Sequence, residues 1–468
     1  MEILGVIVSL LGLMYFAYRG INVLVLAPVM ALLACLFHAD APLLASYTQV
    51  FMPALGGYLL QYFPVFLLGS ILGKLMRDSG AAAVIGRFVA FKLGAERGVL
   101  AVILACAVLT YGGVSLFVVA FSVYPIAVEL FRAGRIPKRL IPASIALGSF
   151  TFTMSGLPGT PAIQNAIPMP FFGTTAFAAP GLGMIGAVVM FGFGYLWLDG
   201  RARRMQRRGE GYGEPVDEAA ADAEGIGEAG LPPSGAAFAK AVTPLAMVLV
   251  INLALSRWVL PAMDHGYLAE ERFGATTPQA VLGLWSLIAA IFGAILLHLV
   301  LYRRQLRRPV ASINEGTFGS MLPIFNTASE VGYGATIAAL SSFARIRDSL
   351  LGLAPSYPLI SEALSINVLA GITGSASGGL SIALDALAES YLRLADVAGI
   401  SPELLHRVAT MASGGFDTLP HNGAVITLLA ICRLDHRRSY PDIAAVAVAG
   451  PFAATCLVVL LGSLFGSF

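Results

Sequence analysis

Two apolar stretches roughly 260 residues apart are interrupted in the same manner, by glycine, proline and small polar residues where a bilayer-spanning helix would be deepest. The first runs from Gly112-Gly113-Val114-Ser115-Leu116 to Ser155-Gly156-Leu157-Pro158-Gly159-Thr160-Pro161-Ala162-Ile163-Gln164-Asn165. The second runs from Ser377-Gly378-Gly379-Leu380-Ser381 to Ser413-Gly414-Gly415-Phe416-Asp417-Thr418-Leu419-Pro420-His421-Asn422-Gly423. Backbone groups left unpaired in hydrocarbon are costly, so such breaks survive only where they line protein or a water-filled cavity. Interrupted segments at matching places in two halves of a chain point to the binding site of a secondary transporter.

Composition sets the solvent. Hydrophobic residues make up 57% and charged residues 12%, against about a quarter charged in soluble domains. The chain therefore reads as an all-α polytopic membrane protein, with the lipid bilayer as its main partner and room for about a dozen spans of roughly 20 residues. Cys35, Cys106, Cys432 and Cys456 stand alone in apolar runs without CxxC spacing and read as small buried side chains. No cofactor, metal or nucleic-acid partner is expected. Neither HExxH, a GxSxG elbow nor a nucleotide loop is present, so an enzyme is not expected either. Residues 1 to 18 lack a basic leader and a small-residue cleavage site and read as an uncleaved first helix.

The apolar runs divide the chain into two transmembrane repeats, 1 to 208 and 238 to 468, joined by an acidic, glycine-rich cytoplasmic linker over 209 to 237 that has no apolar periodicity. In the first repeat, spans at 3 to 18, 21 to 37 and 55 to 76 precede a basic amphipathic stretch carrying Arg77, Arg87, Lys92 and Arg97. Residues 98 to 131 are too long for one span and too short for two, which fits a re-entrant hairpin with its tip at Gly112-Gly113. A broken helix follows over 140 to 172, then a span over 181 to 198. The second repeat repeats these events from the opposite side: spans at 239 to 260, 278 to 302 and 317 to 342, a hairpin over 357 to 393 with its tip at Thr373 to Gly379, a second broken helix, and a last span over 441 to 467. This inverted topology puts every arginine cluster except Arg345 and Arg347 in the cytoplasm of a bacterial inner membrane.

Helix restarts after the breaks present free N–H groups and the positive end of the helix dipole, which favours an anion. The core runs hold few arginines or lysines, so a carboxylate is expected to be held by backbone N–H, Ser, Thr and Asn. The expected substrate-binding residues are Gly113, Ser115, Gly159, Thr160, Asn165, Ser377, Gly378, Gly379, Thr418, His421 and Asn422. Ionisable groups in the apolar runs default to functional roles. Asp417 and Glu330 are expected to carry the coupling proton, ahead of Asp385 and Glu389, with His421 equally suited to a helix-start hydrogen bond. Asp417 as a mere cap of a helix restarting at Thr418 is the structural alternative.

Gly73-Lys74-Leu75-Met76-Arg77-Asp78-Ser79-Gly80-Ala81-Ala82, Phe150 to Met154 with Leu157 to Asn165, Gly374 to Leu384, and Asp417 to Gly423 together resemble the gluconate permease (GntP) family of the ion transporter superfamily. The likeness spans nearly the whole chain. It implies proton symport of small organic anions, gluconate-like sugar acids or hydroxy acids such as 3-hydroxybutyrate, by homodimers using an elevator motion. Asn326 to Gly334 looks closer to the hydroxy-acid branch. Sodium coupling, or an anion channel, is the alternative.

Overall fold

The computed structural model describes residues 2–19, 21–114, 116–213, 233–343, 357–420 and 422–468. Most of the linker and the Arg345, Arg347 pair fall outside the described residues. Every regular element described is helical. The first repeat contains α1 (Glu2–Tyr18), α2 (Val23–Cys35), α3 (Leu43–Asp78), α4 (Ala81–Leu93), α5 (Gly98–Tyr111), α6 (Leu116–Ala133), α7 (Ile141–Ser149), the short α8 (Ile163–Ala166) and α9 (Pro168–Phe172), and α10 (Pro180–Arg207). The second contains α11 (Gly235–Ala262), α12 (Pro278–Leu301), α13 (Pro309–Ala338), α14 (Pro358–Thr373), α15 (Ala376–Ala398), α16 (Pro402–Ser413), α17 (Gly423–Cys432) and α18 (His436–Phe465).

Among these, α3, α10, α11, α12 and α18 are long and apolar enough to cross a bilayer. Their apolar faces are far from filled by protein. In α12 only 44% of the apolar window is buried, and Leu60, Leu196, Val300 and Phe318 stand out from the surface, as side chains facing lipid do. The basic stretch after α3 is α4, which meets the first hairpin arm at 109° and so can lie along the membrane surface. Two spans start earlier than the apolar pattern predicts. α3 begins at Leu43 through a wide turn over Ser46–Phe51, and α13 begins at Pro309.

The duplication shows in the packing. The hairpin arm α5 packs on the broken helix α7 as α14 packs on α16, and the returning arms cross over: α6 packs on α17, and α15 on α8 and α9. Long helices α3 and α13 run antiparallel between the halves, as an inverted repeat requires. Ser70 Oγ donates to Gly316 O at 2.7 Å, Lys74 Nζ sits 2.7 Å from Glu315, and a Cβ at Gly316 would meet the Ile71 backbone. Small residues let these backbones approach. Cys35, Cys106 and Cys432 are buried, whereas Cys456 is exposed on the outer side of α18.

Candidate functional site

Each hairpin tip is clamped to the break of its own repeat. In the first, α5 stops at Tyr111, and its hydroxyl donates to Pro158 O at 2.8 Å. Gly113, at φ +93°, lies against the Pro161 ring, a backbone conformation glycine adopts without strain. In the second, α14 ends at Gly374 in the left-handed conformation, and Gly374 O accepts from Asn422 Nδ2 at 2.8 Å. Gly371 faces Phe416, and Gly415 has no room for a methyl beside the Asn367 amide. The two breaks adjoin, with Gly414 against the Ser155 hydroxyl.

The asparagines hold the breaks together. Asn422 caps α17 by accepting from Ala424 N at 2.6 Å and Val425 N at 2.9 Å, and its Nδ2 also donates to Asp417 O at 2.8 Å. Asn165 Nδ2 donates to Thr160 O and Ala176 O, each at 3.0 Å. Its Oδ1 meets His406 Nε2 at 3.2 Å and Arg407 Nη1 at 3.4 Å. Both amides have spent their hydrogen-bonding capacity on the protein, so in this conformation they position the site and leave nothing for a ligand. Thr418 is likewise engaged, its Oγ1 donating to Ala447 O at 2.8 Å. Asn422→Ala is thus expected to lower the melting temperature as well as uptake, losing about 2 kcal/mol or more for four bonds of about 0.5–1.5 kcal/mol each. Thermal melting of the purified variant checks this.

Thr160 is fully buried, with its Oγ1 turned to Ala162 N at 3.4 Å. Gly159, at φ +80°, donates to Ala176 O at 2.8 Å and has the Phe177 ring on its Cα. Gly379 is where the two hairpin arms touch, since a methyl there would strike the Ala370 backbone. Ser377 and Gly378 face Thr327 and Glu330 of α13. Ser115 and His421 lie outside the described residues.

The buried carboxylates stand out for what they lack. Glu330 Oε2 and Asp417 Oδ1 are buried without a hydrogen-bond partner. Asp385 and Glu389 lie on exposed positions of α15. Glu362 on α14, not singled out from the sequence, is fully buried with neither oxygen partnered. Unpartnered buried polar groups are few in native interiors and call for an explanation such as water, ion or ligand.

Among the few cations of the core is Arg407, which was not singled out from the sequence. It is fully buried on α16, with Nε and Nη2 donating to Ala178 O at 3.0 and 2.7 Å and Nη1 to Ser155 O at 3.2 Å. Beside it, His406 meets Thr174 Oγ1 through Nδ1 at 2.6 Å. Arg407 thus ties the second broken helix to the carbonyls of the first break. The sequence signal was a His-Arg pair in the middle of an apolar run, where intramembrane charges mark function or a structural clasp. Among the described residues no group of three His, Cys, Asp or Glu could hold a metal ion.

No family model matches the chain. It is 44% identical, over all of both chains, to a protein of Bacillus subtilis (strain 168) described as an uncharacterized transporter, YxjC. Among solved structures, the YdaH transporter of Alcanivorax borkumensis, described as having an unusual topology, aligns over 92% of this chain and 89% of its own with 16% identity and a TM-score of 0.47.

Proposed function

We propose that this chain, which belongs to the transporter family of Bacillus subtilis YxjC, is a secondary active transporter of the bacterial inner membrane that moves a small organic monocarboxylate together with protons. The substrate is a gluconate-like sugar acid or a hydroxy acid such as 3-hydroxybutyrate, as the likeness to gluconate permeases implies. One observation carries the reading: two hairpin tips clamped on two helix breaks, with the carboxyls of Asp417 and Glu330 buried beside them and each holding an unpartnered oxygen. Free helix termini suit an anion, and a buried carboxyl that changes protonation as the anion binds can couple the two movements. The working unit is proposed to be a two-fold homodimer, with α1 to α3 and α11 to α13 as the fixed part.

Purified protein in liposomes tests this. An imposed inward proton gradient is expected to drive accumulation of gluconate or 3-hydroxybutyrate above the outside concentration. Sodium at fixed pH is expected to have no effect; a sodium-driven uptake would replace protons with sodium. Equilibration without accumulation under either gradient would make the protein a channel. Failure of all tested carboxylates to move or to raise the melting temperature would remove the carboxylate reading.

A further inference from the structure

The second hairpin tip offers more than a bend. α15 is a 23-residue helix with Ser375 as its N-cap. Ser375 Oγ accepts from Gly378 N at 3.1 Å, and Ser375 O accepts from Gly379 N at 2.9 Å. The N–H groups of Ala376 and Ser377 remain as the free donors of the first turn, at the positive end of the helix. Ser377 Oγ lies 3.4 Å from both Thr327 Oγ1 and Ser375 Oγ, so three hydroxyls surround that turn.

Glu330 reaches this corner from another element, α13. It is 5% exposed, its Oε2 has no partner, and its carboxyl presses on Gly378 where any side chain would collide with it. The Ser375 side chain is within its reach. The other ionisable group beside Glu330, Tyr58 of α3, brings no positive charge. A carboxyl whose Oε2 has no hydrogen-bond partner thus sits beside a helix turn with two N–H donors to spare.

We infer that the first turn of α15 is a niche for the substrate's carboxylate, and that Glu330 is a tethered competitor which crowds that niche while no substrate is present. This rests on the carboxylate-transport reading above. Two carboxylates cannot share one set of donors without mutual repulsion. The substrate anion therefore enters as the Glu330 side chain gives up its charge or swings aside. Glycine at 378 is required because the competitor lies on its Cα.

Glu330→Gln tests the assignment, since it keeps the shape and removes the competing charge. Binding of 3-hydroxybutyrate and gluconate to the purified full-length protein would be measured by titration calorimetry, with 3-hydroxybutyramide as a neutral control. Affinity for the acids is expected to rise at least about 10-fold, the low end for relief of one like-charge contact, while amide binding stays unchanged. Thr327→Val, which removes a niche hydroxyl and leaves the carboxyl in place, is expected to weaken acid binding by about 3- to 10-fold and serves if Glu330→Gln does not accumulate. Acid affinity that falls or stays level in Glu330→Gln, or that is untouched by Thr327→Val, would overturn the competitor role while leaving carboxylate transport intact. If no acid binds wild type or variant, the transport reading fails and this inference with it.

Discussion

Arg407→Leu is expected to prevent stable folding, with a loss of about 3–5 kcal/mol, the scale seen when one side of a buried charged network is removed. The cost arises on the partners. Leucine leaves the carbonyls of Ser155, Gly156 and Ala178 facing an apolar side chain, and takes from Asn165 Oδ1 one of its donors. No water-accessible surface is nearby to make up the difference, because the guanidinium is fully buried. Arg407→Lys is expected to fall between the two. A single ammonium has the charge but not the planar fork that meets Ala178 O from two nitrogens while a third meets Ser155 O. Melting temperatures in detergent, read with the yield of folded protein from membranes, check the order wild type, Lys, Leu. A Leu variant as stable as wild type would mean that the carbonyls find other donors and that Arg407 is no clasp.

Much of this architecture was legible because membrane solvent makes backbone pairing obligatory. A glycine or proline in a 34-residue apolar run, as at Gly112-Gly113, has few outcomes other than a protein-lined turn, and the hairpin and break positions follow. What the sequence withheld is which polar side chains serve the fold. Asn165 and Asn422 read as ligand contacts because a free amide and a spent one look the same in one dimension. Only the three-dimensional neighbours, Thr160 O, Ala176 O and Arg407 for one, Gly374 O and Asp417 O for the other, show the capacity used. Arg407 and Glu362 were passed over for a related reason. Each lies inside an apolar run between better-marked motifs, and one charge among many apolar neighbours does not disturb the period that defines the helix. Helix starts at Leu43 and Pro309 were missed because turns of a span beyond the hydrocarbon need not be apolar.

Asp417→Asn is expected to abolish proton-driven accumulation, with concentrative uptake falling to equilibration while substrate exchange across the membrane continues. The structural alternative for Asp417, capping the restarted helix, does not fit the geometry. The helix restarts at Gly423, and its cap is Asn422, which accepts from Ala424 N and Val425 N. Asp417 instead sits in the break, 4% exposed, with Oδ1 unpartnered, while its main-chain oxygen is held by Asn422. Asparagine preserves that main-chain bond and nearly the same side-chain volume, so folding should persist. What it removes is the one property a proton carrier needs, a group that gains and loses charge as the site fills and empties. The readout is paired: counterflow exchange of labelled substrate, which needs no net proton movement, against accumulation under an imposed pH gradient. Exchange kept and accumulation lost places the coupling proton on Asp417. Accumulation kept with an unchanged dependence on pH moves the carrier elsewhere; Glu330, the other buried carboxyl beside the tips with an unpartnered oxygen, becomes the next position to replace, and after it Glu362, fully buried with both oxygens unpartnered.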